Sequence, residues 1–178
     1  MLKLLRLRCS EVYALEHGRL LKEHGFEVDI IGQYVNIQRV RDNGANPIVV
    51  KTWFKKGYSR RISFDRKVTR LLKKNNYDLV FGHGDNFHQD ILFPHNCVHL
   101  AHELVHGSPL DSNDSVGLIH AELFQNGTFK QIIANSYLMK NDLIERFNIE
   151  TDLIDVVHPG FSSKQFAYSQ KQKWREEK

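Results

Sequence analysis

The most concentrated chemistry in this 178-residue sequence lies in its middle, where six of its ten histidines fall between His83 and His106. Imidazole titrates nearer neutrality than any other side chain, so such a cluster could move protons, hold a metal or bind a ligand. Five consecutive residues, His102-Glu103-Leu104-Val105-His106, match the pattern H-E-x-x-H. On a helix that spacing presents two imidazoles on one face for zinc, with the glutamate as base, and Glu122 could add a third ligand from a second helix. Against it, Gly107 and Pro109 stop any helix just after the motif, whereas residues 97–101 read as strand. A zinc hydrolase on His102, Glu103 and His106 therefore stands as an alternative reading. A second knot of chemistry is Gly82-His83-Gly84-Asp85, where two glycines would let backbone approach a ligand and Asp85 could bind a hydroxyl. The plainer reading of those four residues is a strand-to-loop turn.

The elements needed to position these residues follow from hydrophobic periodicity. Strands are expected at residues 2–7, 27–32, 48–54, 78–81, 97–101, 131–134 and 153–157. Helices are expected at 11–24, closed by Gly25, and at 63–75, 116–129 and 137–147, the last opened by Asn135-Ser136. Val12, Leu15, Leu20 and Leu21 would form the inner face of the first helix, and Phe64, Val68, Leu71 and Leu72 that of the second. Residues 33–47 are polar and turn-rich. This alternation predicts an α/β fold with a mostly parallel sheet.

Ligands of such sheets bind beyond the C-terminal strand ends, which singles out residues 8–11, 82–86, 102–106 and 158–160, the last containing Gly160. Glu11 then sits at the mouth of the site. His95 and His99 are further candidates, although His99 alternates toward a packed position. Ser136 reads first as a helix cap and only second as a ligand contact.

Composition narrows the class. Hydrophobic residues make up 41% and charged residues 26%, as in water-soluble domains. No apolar run approaches the ~20 residues that cross a bilayer. Two cysteines, Cys9 and Cys97, are too few for a disulfide framework, so a reducing cytoplasm is expected. The net charge of +4 suits phosphorylated substrates or an anionic membrane face. Residues 51–74 are strongly basic and include Trp53, Phe54, Tyr58 and Phe64, so this is the surface expected to meet lipid if the acceptor is membrane-embedded.

Residues 132–166 carry a resemblance. They run Ile132-Ile133-Ala134-Asn135-Ser136, a helix ending Arg146-Phe147-Asn148-Ile149, then Val156-Val157-His158-Pro159-Gly160 and finally Phe166. This is similar to the end of the N-terminal domain of family-4 retaining glycosyltransferases. The spacing of Glu11, Tyr13, Leu15, Glu16, Gly25 and Glu27-Val28 fits the family's first helix. Residues 89–97 resemble a stretch of lipopolysaccharide-core glucosyltransferases. Two departures stand out: Arg8-Cys9-Ser10 replaces the family's Gly-Gly-Ala, and Phe161-Ser162-Ser163 replaces its usual Val-Asp.

The resemblance implies a three-layer Rossmann-like domain, the N-terminal half of the GT-B fold, over residues 1–166. Residues 167–178 would form a connector toward a C-terminal donor-binding domain, which in the family holds a glutamate pair. It implies a transferase moving a sugar, with retention, from a nucleotide-sugar donor to a glycan or lipid-linked acceptor. No cofactor, metal or nucleic acid is expected, the location is the cytoplasm or the inner membrane face, and this half alone is expected to be inactive. His102 would correspond to the histidine that touches the donor sugar, and Arg8 could pair with the donor phosphate. A non-catalytic carbohydrate-binding or split partner is the remaining alternative.

Overall fold

A computed structural model describes residues 9–84 and 86–160 of the chain. The elements run α1 (Cys9–Glu23), β1 (Asp29–Gly32), α2 (Ile37–Asp42), β2 (Asn46–Val49), α3 (Gly57–Lys74), β3 (Phe81–Gly82), β4 (Ile91–Leu92), α4 (Val98–His106), α5 (Ser115–Asn126), β5 (Gln131–Ala134), α6 (Tyr137–Phe147) and β6 (Ile154–Val156), with a 3-10 turn at Thr151–Leu153 before β6. Among the described residues all strand pairs are parallel: β1 with β2, and β3-β4-β5-β6 in that order. The domain is thus the expected three-layer α/β arrangement. The expected strand at 2–7 and the connector at 167–178 lie outside the described residues.

Burial explains why the second sheet forms. Along β5 the side chains alternate, with Ile132 and Ala134 fully buried. They pack with Leu92 of β4, Ile154 of β6, Leu123 and Phe124 of α5, and Met139 and Leu143 of α6. The smaller core at the first sheet joins Leu15 of α1 to Val40 and Ala45, with Val28 and Ile30 against it. Tyr77 links the sheets: its hydroxyl donates to Asp29 Oδ2 at 2.6 Å, and burial with that carboxylate pushes the phenol up to about 12. Asp90 sets the start of three strands. Its Oδ2 accepts from Val80 N at 2.8 Å, its carbonyl accepts from Gln131 N at 3.1 Å, and its carboxylate pairs with Lys130 at 2.8 Å.

Several expectations are corrected. Residues 33–47 contain α2, capped by Asn36, whose Oδ1 accepts from Arg39 N at 3.1 Å; with one buried apolar residue, Val40, it has no periodicity to read. The strand expected at 48–54 is β2, Asn46–Val49, and Lys51 to Phe54 is loop. Helix α3 begins at Gly57 rather than 63, and the strand before Gly82 shrinks to Phe81–Gly82. Val12 and Leu20 of α1 are exposed rather than buried. Residues 97–101, expected as strand, open helix α4. The end of α1 is as expected, with Gly25 in the left-handed region at φ 86.

Helix α5 rests on one cap. Asp114 Oδ1 accepts from Val116 N at 2.9 Å and Gly117 N at 2.8 Å, and these bonds hold its carboxyl below the usual range. Asp114→Ala is expected to cost about 1–2 kcal/mol, read as a lower denaturant midpoint with an unchanged slope.

Candidate active site at the strand tips

The C-terminal ends of β3 and β4 lie side by side, because Gly82 pairs with Leu92 in parallel register. The residues just beyond these ends gather into a histidine–aromatic cluster against α1. His83 follows Gly82 directly, and Phe93 and His95 follow β4. The His83 ring stacks on Phe93 at 5.1 Å and on His95 at 5.4 Å, each with 15° between planes. His83 Nδ1 lies 3.1 Å from His95 Nε2, so one imidazole donates to the other. Helix α1 supplies Tyr13 and His17, four residues apart and so on one face. Tyr13 meets His95 at 5.4 Å, and His17 meets Phe93 at 4.8 Å and His83 at 5.3 Å.

The environment keeps these imidazoles neutral. Burial first, then the neighbouring His17 and His95, pushes His83 down to about 3. Burial also lowers His95 and His17. Among the described residues no carboxylate contributes to any of the three shifts. Among the described residues His17 Nδ1 is buried without a hydrogen-bond partner. Above about pH 6.5 the rim therefore offers neutral N–H donors and lone-pair acceptors, which suit hydroxyl groups better than anions.

The glycines beside the cluster differ in purpose. A methyl on Gly82 would strike the buried Gln89 side chain, within 2.7 Å of its Cδ. Gly84, at φ 145, faces open space. Gly82→Ala is expected to cost about 2 kcal/mol by overpacking, measurable as a shifted denaturant midpoint.

The structure gathers only some of the expected site residues. His95 is in the cluster, joined by His83, His17 and Tyr13. His17 was legible only as the residue one helical turn beyond Tyr13. Glu11 lies in the first turn of α1. Ser136 caps α6, accepting from Met139 N at 3.2 Å and donating to Asn135 Oδ1 at 3.1 Å. His99 packs edge-on against Phe147 at 5.9 Å, with Nε2 3.2 Å from Gly117 O, which makes it a joint between helices. Gly160 borders open space, and Arg8 and Asp85 lie outside the described residues.

His102 is not in a loop at a strand tip. It sits on α4 with Nδ1 3.0 Å from Ser108 O and its ring 4.4 Å from that of His106. Among the described residues no hydrogen bond or ring contact joins it to the His83–His95 pair.

The H-E-x-x-H residues are helical after all, yet the zinc reading lacks support. Glu103 forms a two-pronged ion pair with Arg146, at 2.9 and 2.7 Å, which holds its carboxyl below the usual range. Arg146 also binds Asp142 at 2.9 Å. Among the described residues no three His, Cys, Asp or Glu side chains gather as a metal requires. The cavity between α4 and α6, about 460 Å³, is lined by these paired charges together with Glu145, Asn141, Leu100 and Leu138. Cys97, expected inside a strand, precedes α4 instead, and burial followed by Asp142 pushes its thiol up to about 11.

Comparison with known proteins places this geometry. No curated protein matches the chain. The fold is similar to that of WaaG, a glycosyltransferase involved in lipopolysaccharide biosynthesis, with a TM-score of 0.73 and 13% identity over 97% of this chain and 49% of that one. It is also similar to a glycosyltransferase from Rickettsia africae ESF-5, with a TM-score of 0.52 and 15% identity over 94% and 45% of the two chains. The chain thus spans about half the length of these structures and has the fold of the N-terminal half of GT-B enzymes. The sequence model described as Glycosyltransferase Family 4 matches residues 10–165, and the chain belongs to that family.

Proposed function

We propose that this domain is the acceptor-side half of a retaining, nucleotide-sugar-dependent hexosyltransferase that acts on a glycan or lipid-linked acceptor. The observation that carries the reading is the neutral His83–His95 pair at adjacent strand tips, where α/β sheets bind their ligands. Sugar transfer needs hydroxyls held in place and the donor carbon kept from water. Neutral imidazoles do the first, because each can donate or accept without drawing in a counter-ion. Phe93 and Tyr13 do the second by walling the rim with aromatic surface. The similarity to WaaG supports an acceptor of the lipopolysaccharide type.

In this reading His95 replaces His102 as the histidine nearest transfer, since the cluster holds it at a strand tip and α4 holds His102 elsewhere. The donor diphosphate would be bound mainly by a second, donor-side domain, so residues 1–178 alone are expected to be inactive. The site takes no metal or other cofactor in this reading, and the location is the cytoplasmic face.

Joined to a family donor domain, the chain is expected to transfer sugar from a nucleotide donor. His95→Ala should lower kcat/KM by about a hundredfold, the typical loss of one donor aimed at developing charge. His102→Ala should leave it within about threefold. Loss of transfer on His102→Ala with none on His95→Ala would reverse the assignment. Failure of the joined protein to use any nucleotide-sugar would leave only carbohydrate binding.

A further inference from the structure

The first sheet has strand tips of its own, and they carry a chain of polar side chains. β1 and β2 run in parallel register with Gly32 beside Val49, and Val50 N donates to Gly32 O at 2.9 Å just past that pair. Gln33 follows β1 directly, Thr52 lies shortly beyond β2, and Arg60 comes from the first turn of α3. These three are joined in one direction. Arg60 Nη1 donates to Gln33 Oε1 at 2.9 Å, Gln33 Nε2 donates to Thr52 Oγ1 at 3.2 Å, and Thr52 Oγ1 donates to Phe54 O at 3.1 Å. The amide of Gln33 is thereby fixed at both ends and holds the guanidinium in place.

This chain uses only part of Arg60. Among the described residues its Nε is buried without a hydrogen-bond partner. An unsatisfied buried donor is costly, and an acceptor brought by a ligand would relieve it. With Nη1 committed to Gln33, the Nε–Nη2 edge remains, and such an edge gives two parallel N–H bonds to a phosphate. The surroundings favour the same charge. Residues 33–36 and 50–63 hold five lysines and arginines and no acid. Lys51, Lys55 and Lys56 among them are exposed. Helix α3 has no side-chain cap at Lys56, so its N-terminal N–H groups add to the positive potential. Beside Gln33 in the chain, Tyr34 is 83% exposed, so its ring face is open. A phosphate needs no ring, whereas the C–H face of a sugar packs on one.

We infer that the tips of β1 and β2 form a subsite for a phosphorylated sugar, apart from the histidine cluster at the tips of β3 and β4. Arg60 grips the phosphate, Gln33 fixes the guanidinium, and Tyr34 packs against the sugar ring. Both groups of side chains lie where α/β sheets bind their ligands. Among the described residues no hydrogen bond or ring contact joins the two. The division of labour follows from charge. The neutral imidazoles suit hydroxyls better than anions, so an acceptor that carries a phosphate has its charge held elsewhere. In the acceptor-side reading above, on which this assignment rests, the phosphosugar is therefore a unit of the acceptor away from the reacting hydroxyl.

The test uses the whole 178-residue chain and glucose 6-phosphate as the probe, followed by nitrogen-15 NMR at the Gln33 amide and the Arg60 Nε–H. Saturable shifts are expected at both, with Kd at least about tenfold lower than for glucose and at least about threefold lower than for inorganic phosphate or glycerol 3-phosphate. Gln33→Glu keeps the bond to Arg60 but sets a like charge against the phosphate. It should weaken binding at least about tenfold while the denaturant midpoint stays at or above wild type. Tyr34→Ala should bring glucose 6-phosphate to the affinity of inorganic phosphate. Arg70→Gln, farther along α3, should leave binding within about twofold. Wild-type affinity in Gln33→Glu, or an equal loss in Arg70→Gln, would overturn the subsite in favour of diffuse attraction. Glycerol 3-phosphate binding as tightly as glucose 6-phosphate would overturn it in favour of a lipid-type headgroup. Sugar transfer by the joined protein with no phosphosugar binding would remove the subsite alone. Phosphosugar binding at Arg60 without transfer would remove the transferase reading and uphold the subsite.

Discussion

Lowering the pH from about 7 to about 4 is expected to destabilise the domain by about 3 kcal/mol through His83 alone. The folded state holds His83 at about 3, well below the ordinary imidazole value of 6.5. The unfolded chain therefore binds a proton from about pH 6.5 downward that the folded chain refuses, and stability is lost as pH falls through that window. Each pH unit costs about 1.4 kcal/mol per proton withheld. His95 and His17 are lowered by burial as well and act in the same direction. Asp65 opposes them, because burial raises its carboxyl. Asp90, Glu103 and Asp114 are lowered by their partners, so the stability they give is lost as pH falls through the ordinary carboxylate range and below it.

Urea midpoints between about pH 7 and 5 thus report mainly the histidines, with Asp65 acting against them. His83→Gln keeps an amide that can pair with His95 Nε2 but cannot titrate. It should reduce the acid slope by about one proton. If the slope survives the substitution, the cluster is not the acid-labile element.

Gly127→Ala is expected to cost about 3 kcal/mol or more, enough to leave a domain of this size marginal. Glycine is not needed there for its backbone angles, since φ −72 and ψ 162 suit any residue. It is needed for space. An added methyl would overlap the Leu123 carbonyl oxygen and press on Phe87 O at 3.1 Å. Both obstacles are main chain, so neither can rotate away. Gly127 N donates to Leu123 O at 2.9 Å to close α5, and Thr128 N next to it donates to Phe87 O at 2.6 Å. Relief of the overlap must therefore open either the end of α5 or the link between β4 and β5. Thermal unfolding with an unchanged native circular dichroism spectrum checks this, and a midpoint within about 2 °C of wild type would refute it.

Local signals carried much of the architecture. Helix α6 was legible because Asn135-Ser136 is a capping pair and Met139 and Leu143 repeat at one face. β5 was legible as the short apolar run Ile132-Ile133-Ala134 before the capping pair, and the end of α1 from Gly25. Helix α4 was not, because Cys97-Val98-His99-Leu100-Ala101 has the composition of a strand and no side chain caps the helix. Its helical state is held by partners distant in sequence: Arg146 on Glu103, and Gly117 O on His99. The strand-like composition of residues 97–101 likewise points His102 to a strand tip, whereas it sits on α4.

The sequence by itself determined the alternating α/β plan, the family likeness carried by residues 132–166, and the basic run with Trp53. Each depends on neighbours within a few positions or on an order of elements that composition dictates. Only the tertiary structure decided which histidines meet. His17, His83 and His95 come from a helix and the segments just after two strands, and parallel strands must be joined by crossovers that no local pattern encodes. Their neutrality is likewise a property of burial, which exists only once α1 has closed over the tips of β3 and β4.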